Sequence, residues 1–324
     1  MTIRNLFLLF LSAVLLALGP ASAAFAQSYP TKPIRVLVPF PPGGPADILA
    51  RLIAQKLGEK FDRQVIVENR PGANTIVGAE MVANAPADGH TLLMAIDSTL
   101  SMNPSLYAKL RYDPIRDLAP VALIATVPLV LAANNAFPPN TVQEVIALAK
   151  AKPGEINVGA GAIVSQLGSH LFNAMAGTKM VLVPYKGGNI IVAAVMGGEV
   201  PLIFTSAAQV LPAWRAGKLK ILAVMGSRRL PNAPEISTIA ESGVPGYDVF
   251  AWQSIVVRAG TSQEIIARLN AELVRIMDLP EMRERLLALG LEPAVSTPGE
   301  LAALIRAETA KWSKVIRDSN FKVD

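Results

Sequence analysis

From residue 32 onward, short apolar runs alternate with stretches that carry an apolar residue at every third or fourth position. The first kind predicts strands and the second helices. Residues 32–39 predict a strand and 40–44 (FPPGG) a turn. A helix follows from about Pro45, with Ile48, Leu49, Leu52, Ile53 and Leu57 on one face. Strands are predicted over 64–68 and 91–96, with a short helix over 76–84 between them. This alternation implies a parallel sheet covered by helices. The middle third repeats it, with strands over 157–161, 181–184, 200–204 and 219–225 and helices through Leu171 and Met175 and up to Met196. Two longer extended stretches, 121–133 (broken by Pro128) and 250–257, stand between the halves.

Beyond residue 258 the pattern is helical. Capping boxes, in which Thr or Asp is followed three residues later by Glu, open at Thr141, Thr261, Asp278 and Thr297. Pro280 and Pro298 fit first helical turns, and Gly290 fits a helix end. The apolar stripes Leu269/Leu273/Ile276, Leu286/Leu289 and Leu301/Leu304/Ile305/Trp312 need a sheet to cover, and the first sheet is the economical one. The chain is therefore expected to form two α/β lobes. Residues 27–127 and 252–324 make a discontinuous first lobe and 128–251 the second, with two strands crossing between them as a hinge.

The N-terminus changes the picture of where this happens. Arg4, the apolar run 6–18 and the small residues 21–26 form a secretory signal peptide pattern, cut after Ala26. Thirteen residues rise only about 20 Å as a helix, short of a hydrocarbon core of about 30 Å. The mature chain is expected to be periplasmic and soluble. Cysteine is absent, which removes thiol chemistry, Cys-based metal sites and the lipidated cysteine of a tethered lipoprotein. Loss of Arg4 lowers the formal charge from +5 to +4, which suits anions mildly. No block of Lys and Arg interleaved with aromatics points to nucleic acid.

The most informative segment is Val38-Pro-Phe-Pro-Pro-Gly-Gly-Pro-Ala-Asp47: a strand, a turn with two glycines, and a helix start. Gly43 and Gly44 let backbone approach a ligand with no Cβ in the way. The first amides of the helix lack intrahelical partners and carry the positive end of its dipole, so an anion can dock there without an arginine. Asp47 can accept orphan amide protons and stiffen the loop. Taken alone, such a segment is also an ordinary βα turn. Ser98 and Thr99, and Thr205 and Ser206, follow predicted strands, the place where open α/β sheets bind ligands. For each of these, capping is an equal alternative.

This segment joins Tyr29-Pro-Thr-Lys-Pro-Ile-Arg35, Val67-Glu-Asn-Arg-Pro-Gly72, Ala87-Asp-Gly-His-Thr-Leu-Leu93, Asn103-Pro-Ser-Leu-Tyr107, Pro184-Tyr-Lys-Gly187 and Ala216-Gly-Lys-Leu219 in order along the chain. Together with Arg268-Leu-Asn-Ala-Glu272 and Arg306-Ala-Glu-Thr-Ala-Lys-Trp312, they make the sequence resemble the Bug family, the extracytoplasmic receptors of tripartite tricarboxylate transporters. The resemblance implies a Venus-flytrap fold of the periplasmic binding proteins, with a carboxylate held between the lobes by the Pro-Gly-Gly-x-x-Asp loop and by backbone of the facing lobe. Carried over, it points to Gly43, Gly44, Ala46 and Asp47. Tyr185 and Lys186 of the Pro-Tyr-Lys-Gly segment are further ligand-binding candidates, with Lys186 either steering charge or standing as a solvated loop lysine. Ser165-Gln166-Leu167 stands where the family has Ser-His-Leu. The loop before it is about two residues short, with Ala162, Ile163 and Val164 in place of small polar residues. More apolar surface there favours a ligand with one carboxylate end and a less polar body over citrate; drift with unchanged backbone amides is the equal alternative.

Enzyme signatures are missing. His90 and His170 are the only histidines, in positions that read as structural. There is no His-x-x-x-His pair, Gly-x-Ser-x-Gly elbow, Walker loop or Gly-x-Gly-x-x-Gly fingerprint. The expectation is a monomeric receptor without cofactor or metal. It captures a small organic anion and delivers it to integral membrane transport subunits or, as the alternative, presents it to a membrane sensor.

Overall fold

The computed structural model describes residues 29–185 and 188–323. The expected signal peptide and Lys186 lie outside the described residues. Within the unit Lys32–Asp324 the chain builds two sheets. The first takes β1 (Ile34–Val38), β2 (Val65–Asn69), β3 (Thr91–Ile96), β4 (Leu118–Val127), β10 (Ala251–Arg258) and β11 (Glu292–Pro293), in the order β11-β4-β10-β3-β1-β2. The second takes β5 (Leu129–Ala133), β6 (Asn157–Ala160), β7 (Val181–Pro184), β8 (Leu202–Ser206) and β9 (Lys220–Val224), in the order β7-β6-β8-β5-β9. Helices lie between the strands in sequence: α1 (Pro45–Phe61), α2 (Ile76–Ala83), α3 (Val142–Ala151), α4 (Ile163–Ala176), α5 (Gly188–Gly197) and α6 (Ala207–Arg215). Three more, α7 (Gln263–Met277), α8 (Pro280–Ala288) and α9 (Pro298–Ser319), end the chain.

The sheets are mixed rather than purely parallel. β2, β1 and β3 run parallel, as do β7, β6 and β8, each joined through a helix. β10 runs antiparallel to both neighbours, β3 and β4, and β5 antiparallel to β8 and β9. The reason is the crossing. β4 runs through Pro128 straight into β5, so one extended stretch belongs to both sheets, and β10 returns beside it with Ala251 opposite Val127. Met225 donates its amide to the Leu129 carbonyl and accepts from Val249, which ties the two crossings together. This is the two-lobed architecture with two hinge-crossing strands.

The predicted caps form unevenly. Thr297 and Glu300 make both halves of a capping box, and the Thr141 hydroxyl accepts from the Glu144 amide. α7 begins one residue later than its box predicts: Ser262, not Thr261, caps it. Asp278 does not open α8, because Leu279 occupies that cap position; Asp278 ends α7 as its C-cap residue, and its carboxylate pairs with Arg283. The stripe of α9 divides. Leu301 and Ile305 join a cluster with Leu37, Leu93 and Trp252, as expected for cover over the first sheet. Trp312, Val315 and Ile316 instead pack in the cluster of Phe172, Phe204 and Tyr247 around the second. A helix of 22 residues is about 33 Å long, enough to reach from one core to the other.

At the end of α8 the chain meets the second sheet's helix layer. Gly290 has φ +72°, and a Cβ there would lie 2.1 Å from the Ala208 Cβ. Gly290→Ala should therefore lower stability through both the overlap and the left-handed backbone, by about 2 kcal/mol or more. Ala208→Gly in the same chain should recover the overlap part and leave about 1 kcal/mol. Thermal unfolding of the two variants and the parent checks this; no recovery in the double variant would contradict it.

Candidate functional site

The loop between β1 and α1 is pinned from behind. Asp47, in the first turn of α1, is 2% exposed. Its carboxylate accepts from the Gly43 amide at 2.9 Å, Arg51 Nε at 3.0 Å and Asn69 Nδ2 at 2.8 Å. Asn69 Nδ2 also donates to the Phe40 carbonyl, and Arg51 reaches the Asn69 amide oxygen. Burial pushes the Asp47 pKa up, but the hydrogen bonds from Arg51, Gly43 and Asn69 outweigh it, so the group sits below its ordinary value. Gly43 takes φ +86°, which only glycine adopts at little cost. Asp47 thus holds the loop rather than facing outward, while Gly43, Gly44 and Ala46 border a cavity of about 630 Å³.

Across that cavity stands the start of α4, with Ala162 as its cap residue in an extended conformation and no side-chain capping bond. Ala162 and Val164 border the cavity, as do Val127 and Ala251 of the two crossings. Two helix starts, one from each lobe, therefore open on a single space. An adjoining cavity of about 420 Å³ shares Pro45, Val127, Ala162, Val164, Ala251 and Gln253 and reaches Ser165, Thr205 and Ser206. Among the described residues, no Lys or Arg borders either cavity.

The remaining expected residues divide. Ser98 and Thr99 are buried in a π-helical turn. The Thr99 hydroxyl bonds that of Thr75, and the Ser98 amide donates to Asp97; neither residue borders the cavity. Gln166 donates to the Gly161 carbonyl and so braces its own loop. The Tyr185 hydroxyl donates to Glu199 at 2.8 Å and its ring lies over Gly159, away from both cavities. The Thr205 hydroxyl donates to Gln209. His90 Nδ1 lies 2.8 Å from the Asp88 carbonyl oxygen, and the ring of His170 meets Phe321 edge-on. Among the described residues, no cluster of three potential metal ligands occurs and no helix is long and apolar enough to cross a membrane.

Asp97 and Gln253 are not among the site residues expected from the sequence. Trp252 is fully buried. Of the buried side-chain polar atoms without a partner among the described residues, Asp97 Oδ2, Trp252 Nε1 and Gln253 Oε1 all belong to residues bordering the 630 Å³ cavity. Gln253 stands opposite Ile96 in the β10–β3 pairing, so the next pair along sets Trp252 against Asp97. Burial drives the Asp97 carboxyl up to about 7. The Ser98 amide pulls it down, Glu308 pushes it up, and the Trp252 amide and Lys311 pull it down by less. The signal that points to Asp97 is its place at the carboxyl end of a central strand.

The chain is similar to known proteins along most of its length. Residues 49–321 match the family described as tripartite tricarboxylate transporter family receptor. Protein BugT of Bordetella pertussis is 34% identical over 308 residues, 94% of each chain. A UPF0065 protein from the tcbD-tcbE intergenic region of a Pseudomonas strain is 35% identical over 314 residues, 94% of this chain and 92% of its own. Among solved structures, a Rhodopseudomonas palustris protein with adipate superposes with a TM-score of 0.76 at 33% identity, covering 89% of this chain and 97% of that one. MatC from Rhodopseudomonas palustris with bound malate gives 0.72 at 32%, covering 89% and 100%.

Two outcomes follow from the geometry. Gly44 has φ −79° and open space where a Cβ would go, so Gly44→Val should fold with parental stability yet block the cavity. Circular dichroism melts and ligand titration check both halves; unchanged affinity would contradict it. Asp97 keeps a proton in the folded state that the unfolded chain loses near pH 4. Its contribution to stability is therefore full below about pH 4 and declines as pH rises to about 7, by roughly 4 kcal/mol. Chemical denaturation from pH 4 to 8 should show that decline in the parent and not in Asp97→Asn; equal slopes would contradict the assignment.

Proposed function

The chain belongs to the tripartite tricarboxylate transporter receptor family, and within it we propose that this protein captures a small organic carboxylate in the periplasm and delivers it to membrane transport subunits. The observation that carries this reading is the pair of helix starts, at Gly44–Ala46 and Ala162–Val164, facing one cavity with no lysine or arginine among its described lining residues. Amide dipoles at helix starts are suited to an anion. Relatives about one-third identical were solved with adipate and with malate, both carboxylates.

Residues 27–127 and 252–324 act as one lobe and 128–251 as the other, with α9 as a brace across them. Without ligand the lobes stand further apart. A ligand that touches both starts binds the closed arrangement better, and the equilibrium shifts by that difference in affinity. A micromolar receptor gains about 8 kcal/mol in all, within reach of neutral dipoles and compatible with release. The protein works as a binding receptor without catalysis, free in the periplasm, since its sequence has no cysteine to carry a lipid. The apolar wall at Ala162 and Val164 suits an acid with a less polar body than citrate.

Protein unfolded, stripped of co-purified ligand and refolded should be screened by thermal shift and titration calorimetry against mono-, di- and tricarboxylates and their neutral amides. At least one aliphatic or aromatic acid should bind with micromolar affinity and more tightly than citrate, and its amide should not. Binding confined to neutral or cationic compounds would overturn the reading.

A further inference from the structure

The strands that cross between the two sheets have a second side. Neighbouring residues of a strand face opposite ways. Val127 and its partner Ala251 border the cavity on which the helix starts open. Thr126, Phe250 and Glu292, which pairs with Thr126, border another cavity, of about 340 Å³. This rear cavity lies between the two halves. Glu292 belongs to β11 of the first sheet, and residues 226–231, also on its lining, follow β9 of the second. Cavities on opposite faces of one pair of crossing strands respond oppositely to a rotation about those strands. What widens the front narrows the rear.

The charged side chains on the rear cavity are Arg228, Arg229, Asp248 and Glu292. Arg229 is paired with Glu241 at 3.0 Å, and Asp248 accepts from the Ser227 amide at 2.8 Å. Both contacts stay within the second half. Arg228 and Glu292 stand in different halves. Among the described residues, neither side chain has a hydrogen bond or an ion pair within 4.0 Å. Glu292 is half-buried and Arg228 exposed. Burial pushes the Glu292 pKa up and Arg228 is the charge that draws it down, so the two already attract across the gap. A carboxylate partly removed from water is stabilised by an approaching cation, and narrowing of the rear brings this one closer. We propose that Arg228 and Glu292 form an ion pair as the front cavity opens, a latch behind the hinge that holds the empty receptor open and so sets its affinity. This rests on the lobe closure and carboxylate reading proposed above and adds a control to it. A guest must part the pair to close the lobes, and its observed affinity is lowered by the bias toward the open form.

The test is calorimetric titration of the refolded parent, Glu292→Gln, Arg228→Gln and the double variant with adipate, malate, succinate, butyrate and benzoate. An acid that binds the parent should bind each single variant about twofold to fivefold tighter. The double variant should gain no more than one single variant does, because the pair is lost once. The sign separates a latch from a plain charge effect. Removing an acid and removing a base near an anion shift its affinity in opposite directions, whereas breaking their pair shifts it the same way. Unchanged or weaker binding in either single variant, or gains that add in the double variant, overturns the latch and leaves the carboxylate reading standing. Failure of every acid to bind the parent overturns that reading and the latch with it.

Discussion

A turn between strand and helix can offer its amides to a guest only if something other than the guest holds the turn in shape. In this protein that support is the buried carboxylate of Asp47. One oxygen takes the Gly43 amide and Arg51, the other takes Asn69, and Asn69 in turn holds the Phe40 carbonyl. Both ends of the loop are thereby tied to α1 and β2. The glycines can then present backbone to the cavity without collapsing into it. An ionised Asp47 is required for this, and its partners keep it ionised down to acid pH.

The two halves of the molecule line the cavity differently. The second half contributes a helix start with apolar side chains at Ala162 and Val164, while the first contributes the glycine-bearing turn and the start of α1. On the proposed reading, recognition by peptide dipoles in place of fixed charges would ease release of the guest. A lysine or arginine buried with its counter-ion is costly to separate, whereas several weaker neutral contacts release the guest once the halves part. The crossing strands and α9 join the two sheets and their cores. α9 has Leu301 and Ile305 in one core and Trp312 and Ile316 in the other.

Much of the fold was legible because local signals agreed with one another. Strand and helix periods, the Pro128 break and the Pro-Gly-Gly-x-x-Asp segment all fixed where elements begin and end. What stayed hidden depends on distance in sequence. The antiparallel insertion of β10 follows from a crossing that brings residue 251 beside residue 127, which no local period reports. Asp278 looks like a cap by spacing but loses that place to Leu279. Thr99 looks like a ligand group by its position after a strand, yet its hydroxyl is taken by Thr75. Conversely, Asp97 and Trp252, 155 positions apart in the numbering, become neighbours only through pairing across the sheet, so their juxtaposition leaves no trace in the local sequence.

The most direct examination of the account is a crystal structure of the mature protein with the acid that binds it best in solution. A carboxylate of that acid should lie within hydrogen-bond distance of the backbone at Gly43–Asp47 and near the start of the helix at Ile163, between closed lobes. Electron density for the acid at another surface, with the 43–47 loop facing only solvent, would contradict it.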